Sequence, residues 1–184
     1  MILLPNTPDL NKPVWVLDTN VVLDIFHFDD AATRPLARAL EAGLIRCAAS
    51  PATLAEWRRV LAYPEFGLDA AAQTAMDARY TACVTLTAGP DERADLPHKG
   101  TPIHYGLKPV WSRMPRCRDA DDQKFLELAA ACSAEALVSK DRALLDLRRR
   151  RLPFAILSSQ QAAARCLARV DISTPLETLS RATI

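Results

Sequence analysis

Nothing in the sequence marks the chain for a membrane or for export. Its opening residues, MILLPNTPDLNKP, have no basic cluster and a single three-residue apolar run, too short for a signal peptide or an anchor. Paired cysteines are missing too. Cys47, Cys83, Cys117, Cys132 and Cys166 are odd in number and form no C-x-x-C, which argues against a disulfide framework and a cysteine zinc site. A reducing, cytoplasmic setting is the expectation. Charge of one sign is also lacking: 23 basic residues face 22 acidic ones for a net +1, so the whole-molecule field selects no partner. Lysine is scarce, since 18 of the 23 basic residues are arginine. Arginine suits bidentate grip on phosphates, but an arginine- and alanine-rich chain is also what a GC-rich genome encodes, and that reading weighs more. Repeats and low-complexity segments are absent.

What is present is enough apolar material for one domain: 184 residues, 49% of them hydrophobic. Residues 1–12 read as a lead-in, 13–158 as the main domain and 159–184 as a C-terminal helix and tail. The organising stretch is Val14–Val22, VWVLDTNVV. Its unbroken apolar run predicts a strand buried on both faces, central in a parallel sheet. Asp18 then falls at the carboxyl end, the edge where open α/β sheets bind ligands. Thr19 and Asn20 follow as short polar groups able to bond a turn or hold the neighbouring carboxylate.

Along the chain, the pattern predicts a helix over Asp30–Gly43 and a strand over Leu44–Ala49. Ser50 and Pro51 supply an N-cap and a first-turn proline for a helix reaching about Tyr63. Leu54, Trp57 and Leu61 mark its buried stripe, and Glu56 lies beside that stripe near the sheet edge. A further helix is expected over Leu68–Cys83, and a weakly marked strand over Cys83–Thr87. Ala88–Arg118 is rich in proline, lacks an apolar period and is long for a loop. It mixes His98, His104, Tyr105 and Trp111 with Arg113, Arg116 and Arg118, a combination that suits single-stranded nucleic acid, where cations track phosphates and rings stack on bases. An ordinary surface loop would carry the same residues.

Asp119–Ser133 reads as the clearest helix, its stripe formed by Phe125, Leu128, Ala129 and Cys132. Asp122 falls on that stripe and Asp121 borders it, so the periodicity does not choose between them. A strand over Glu135–Ser139 delivers Ser139 and Asp141 to an edge. Leu144, Leu145 and Leu147 begin the next helix, and the run Arg148–Arg151 reads as its solvated end. A last strand spans Pro153–Leu157 and a last helix Gln160–Val170.

Carboxylates gathered at one edge repel each other unless a cation neutralises them. Oxygen ligands with no histidine or cysteine nearby select Mg²⁺ or Mn²⁺ over zinc. A hard ion sharing its shell with substrate phosphate suits phosphodiester hydrolysis.

The motifs L-D-T-N-V, a helical Glu, D-x-D-D-x-x-F-L-x-L-A and L-V-S/T-x-D occur here in that order, within roughly residues 14–157. As a set they resemble the PIN-domain family, metal-dependent ribonucleases that include many toxins of bacterial toxin–antitoxin pairs. The resemblance implies a three-layer α/β/α fold with a central, mainly parallel sheet of about four to five strands. It implies that Asp18, Glu56, Asp122 and Asp141 are catalytic. Asp18 and Asp141 would be metal ligands with Asp122, which the family pattern favours over Asp121. Glu56 would orient or deprotonate the attacking water, and Asn20 and Ser139 would fix the carboxylates. It further implies single-stranded or structured RNA as substrate, a cognate antitoxin as protein partner and a possible homodimer. The long Ala88–Arg118 segment departs from the family's shorter connection. Rival readings are a non-catalytic PIN-like scaffold or partner-binding module and a haloacid-dehalogenase-like phosphatase. The phosphatase needs an aspartate two residues after the first, where this chain has Asn20.

Overall fold

The computed structural model describes residues 12–88 and 114–173. The lead-in, most of the Ala88–Arg118 segment with Arg113, and the tail beyond Ser173 lie outside the described residues. Among the described residues five strands run in chain order: β1 (Val14–Leu17), β2 (Arg46–Ala49), β3 (Val84–Leu86), β4 (Ala136–Val138) and β5 (Ala155–Leu157). The helices are α1 (Thr19–Phe26), α2 (Arg34–Glu41), α3 (Pro51–Leu61), α4 (Ala70–Cys83), α5 (Gln123–Ala131), α6 (Arg142–Leu145) and α7 (Ser159–Ser173). All strands are parallel, in the order β3-β2-β1-β4-β5, with β1 central.

Period-2 alternation builds the two cores. Trp15, Leu17, Cys47, Ala49, Ala136 and Val138 face one helical layer, where they pack with residues of α1 to α4 and α7. Val16, Ala48, Leu137 and Ile156 face the other, packing with α5 and α6. The result is a three-layer α/β/α sandwich. Strands covered on both faces must be apolar throughout, which is why β1 reads as an unbroken run. Burial of one large side chain such as Phe125, 1% exposed, contributes about 2–3 kcal/mol.

Three local outcomes differ from the sequence reading. Residues 19–26 form a helix directly after β1 rather than an open turn, with Val21, Val22, Leu23 and Ile25 buried. The first predicted helix is shorter, spanning Arg34–Glu41. The helix expected from Asp119 begins only at Gln123. Asp119 Oδ1 accepts the Asp121 backbone N–H at 2.9 Å, and this local bond closes a turn that competes with helix formation. By contrast, α3 starts as expected. Ser50 Oγ accepts from the Thr53 N–H at 3.2 Å while the Ser50 N–H donates to Thr53 Oγ1 at 2.9 Å, completing a capping box.

The unforeseen α1 carries a buried charge. Asp24 is 3% exposed, and Lys140 Nζ lies 2.8 Å from each of its carboxylate oxygens. This pair ties α1 to the loop after β4. Lys140→Met strands the carboxylate. The expected cost is about 1–3 kcal/mol, below the figure for a fully buried pair because Lys140 is half exposed. Urea melts check it. Pairing Lys140→Met with Asp24→Asn should recover most of the loss, and a single variant as stable as wild type would contradict the assignment.

Candidate active site at the carboxyl edge of the sheet

Connections leave β1 toward β2 on one side, and β4 sits on its other side, so a crevice opens between the carboxyl ends of β1 and β4. Ligands of open α/β sheets bind at such a switch point. Leu17 pairs with Val138, which sets Asp18 level with Ser139. Asp18 is only 2% exposed; its N–H donates to the Val138 carbonyl at 2.9 Å and its Oδ2 accepts the Ser139 hydroxyl at 2.7 Å. Ser139 Oγ in turn accepts the Asp141 N–H at 2.9 Å. One hydroxyl therefore fixes both acids. Asp141 caps α6, its Oδ1 accepting from the Ala143 N–H at 2.5 Å.

The other acids arrive from opposite layers. Glu56 comes from α3, largely buried, and pairs with Lys124 of α5. Asp122 occupies the N-cap position of α5 but makes no cap bond. Its Oδ2 is buried without a hydrogen-bond partner. Asp121 is exposed, whereas Asp122 is partly buried. Asn20 is exposed; its backbone N–H, rather than its side chain, acts on the Asp18 carboxylate, without closing a well-formed cap bond. Arg116 and Arg118 are exposed and line an open hollow with Met114, Cys117 and Gln123.

Burial raises the Asp18 carboxyl above its usual range, and Glu56 and Asp141 push the same way against the Ser139 bond. Asp122 is pushed up to about 7, first by burial and then by the charges of Asp18, Asp141, Asp119 and Glu56. A carboxyl raised from 3.8 toward 7 keeps its proton in the folded protein while the unfolded chain has lost it. Stability therefore falls as pH rises from about 4 to about 7 and levels off above. Discounted for partial exposure, the Asp122 contribution is about 1–2 kcal/mol. Asp122→Asn should flatten that fall in metal-free melts between pH 5 and 7.5, and parallel wild-type and variant curves would count against the cluster.

Sequence reasoning missed the two lysines, Lys124 and Lys140, that pair with acids here. A signal existed: in a chain with only five lysines, each of these stands within two residues of a candidate acid. The donor set is all oxygen, and Asp122 Oδ2 is a buried acceptor with no partner. Both features fit a hard divalent cation. Among the described residues no three His, Cys, Asp or Glu side chains already form a coordination group.

No curated protein matches the sequence. The crystal structure of PAE2754 from Pyrobaculum aerophilum is similar in fold, with a TM-score of 0.50 over 89% of this chain and 94% of that one, at 14% identity. Among the described residues no helix is long and apolar enough to cross a membrane. The family model described as PIN domain matches residues 14–143, from the start of β1 into α6. PIN domains are typically metal-dependent nucleases that act on nucleic acids. By this match, over well more than half its length, the chain belongs to the PIN-domain family.

Proposed function

We propose that this chain is an Mg²⁺- or Mn²⁺-dependent endoribonuclease, the toxin of a bacterial toxin–antitoxin pair. The observation that carries the nuclease reading is that Asp18, Glu56 and Asp141 all lie near enough to Asp122 for their charges to raise its pKa. Asp18, Asp122 and Asp141 would hold the cation. When bound, it supplies a water activated at neutral pH and neutralises charge on the phosphate oxygens.

The chain's own residues do the rest. The Ser139 hydroxyl and the Asp141 backbone N–H form a relay that keeps the Asp18 and Asp141 carboxylates in fixed relation. Glu56, reaching in from α3, orients the attacking water or takes its proton. Arg116 and Arg118, exposed beside the Asp119–Asp122 turn, would contact the RNA backbone. RNA as substrate, the cytoplasm as site of action and a small antitoxin covering the crevice are supported by the motif set rather than by geometry. One observation favours a non-catalytic scaffold instead, namely that no three ligand groups are already gathered among the described residues.

Incubating the purified protein with an end-labelled, unstructured RNA in Mn²⁺ and in EDTA separates the two. Cleavage in Mn²⁺ that EDTA abolishes is the expected result. An intact RNA under both conditions, across substrates of varied sequence, would favour the scaffold.

A further inference from the structure

Among the described residues one lysine pairs with a candidate acid of the edge. Lys124 lies in the first turn of α5, two residues past Asp122. Its ammonium pairs with Glu56 and donates to the Asp121 carbonyl at 2.5 Å, and it sits 5.4 Å from the centre of the Phe125 ring. The two charged side chains are 24% and 14% exposed, so the pair is largely withdrawn from water. Holding a long lysine side chain through three contacts costs rotamer freedom, and a surface ion pair rarely achieves it. The pair also links α3 to α5 from opposite helical layers, across the edge that carries Asp18. Among the described residues no basic side chain pairs with Asp18, Asp122 or Asp141, whereas Lys140, the next lysine along, is committed to Asp24.

Among the described residues Lys124 is therefore the one ammonium paired with any of the four candidate acids, through Glu56. An ammonium and a divalent cation cannot share that space freely. Glu56, the partner of Lys124, is one of the acids whose charge acts on Asp18 and Asp122, so a cation drawn to that edge attracts Glu56 and repels the ammonium. We propose that Lys124 is a resident counter-ion, holding Glu56 while the edge is metal-free, releasing it as a divalent cation enters, and so setting the cation affinity of the site. This deepens the proposed function and rests on its reading of the edge as a cation site. Two other roles make different forecasts. A purely structural tether would stabilise the fold equally with and without the cation. A lysine reserved for the substrate phosphate would leave cation binding unchanged when RNA is absent.

The test is a Mn²⁺ titration of the melting temperature, without RNA, on the full chain. Wild type is compared with Lys124→Gln, with Lys124→Met, which keeps the aliphatic stem, and with Lys124→Arg, which keeps the charge. The neutral variants should melt below wild type in EDTA. Their half-saturating Mn²⁺ concentration should fall about tenfold or more, since two unit charges about 4 Å apart interact by about 1 kcal/mol in water and about 4 kcal/mol near a protein surface. Lys124→Arg should stay within about twofold of wild type, since its charge is unchanged. A wild-type response with unchanged half-saturation in both neutral variants would overturn the role of Lys124 alone. A wild-type melt that ignores Mn²⁺ would overturn the cation reading of the edge and this inference with it.

Discussion

Asp18→Asn and Asp141→Asn are each expected to lower Mn²⁺-dependent RNA cleavage by about a thousandfold or more, with far-UV circular dichroism unchanged. The structure makes both substitutions clean. An asparagine at 18 still offers an oxygen to the Ser139 hydroxyl, whose bond to Asp18 Oδ2 is 2.7 Å. An asparagine at 141 still caps α6, because asparagine and aspartate serve about equally as N-caps. What each variant loses is a negative charge at the crevice, worth several kcal/mol of transition-state stabilisation where a cation must be held. Glu56→Gln should lose less, since its proposed task is to place water. Wild-type rates in either aspartate variant would remove these residues from the chemistry.

A divalent ion should also stabilise the folded protein without any RNA. Burial and mutual repulsion raise the Asp122 carboxyl to about 7, a strain the unfolded chain does not share. A cation that binds only the folded cluster relieves it. At about one hundred times its dissociation constant the gain is roughly 2.7 kcal/mol, a rise in melting temperature of about 5–11 °C for a domain of this size. Asp141→Asn removes one repelling charge, so it should melt higher than wild type in EDTA and respond less to Mn²⁺. Asp122→Asn should blunt the response more than Asp121→Asn, since Asp121 is exposed. A melt indifferent to saturating Mn²⁺, with Asp141→Asn destabilised in EDTA, would make the carboxylates structural.

The parts of the fold legible in the sequence are those where one local signal dominates. β1 reads from its apolar run because both its faces are covered. α3 reads from Ser50 and Pro51, and the stripe from Phe125 to Cys132 reads because α5 buries one face. The first helix does not, because Asp18, Thr19 and Asn20 read as a polar turn after β1, and the apolar run from Val21 to Ile25, broken only by Asp24, is too short to show a helical period. The late start of α5 was hidden for the opposite reason: Asp119 and Asp121 look like favourable first-turn acids, yet an Asp119 side chain bonded to the Asp121 N–H holds a turn there. The candidate acids were legible as types after strands or at helix starts. Most of their partners were not. The exception is Ser139, which the motif set implies as a group fixing the carboxylates and which bonds Asp18 across 121 residues of sequence. The Lys140–Asp24 and Lys124–Glu56 pairs depend on how α1, α3 and α5 lie across the edge, which no local pattern records.

The central claim is that Asp18, Asp122 and Asp141 hold a divalent cation at the β1–β4 crevice. Anomalous diffraction from crystals grown with Mn²⁺ tests it most directly. The account predicts a peak within about 2.5 Å of carboxylate oxygens from at least two of these residues. Saturating Mn²⁺ that leaves the crevice without a peak, or a peak bound only by other residues, would contradict it.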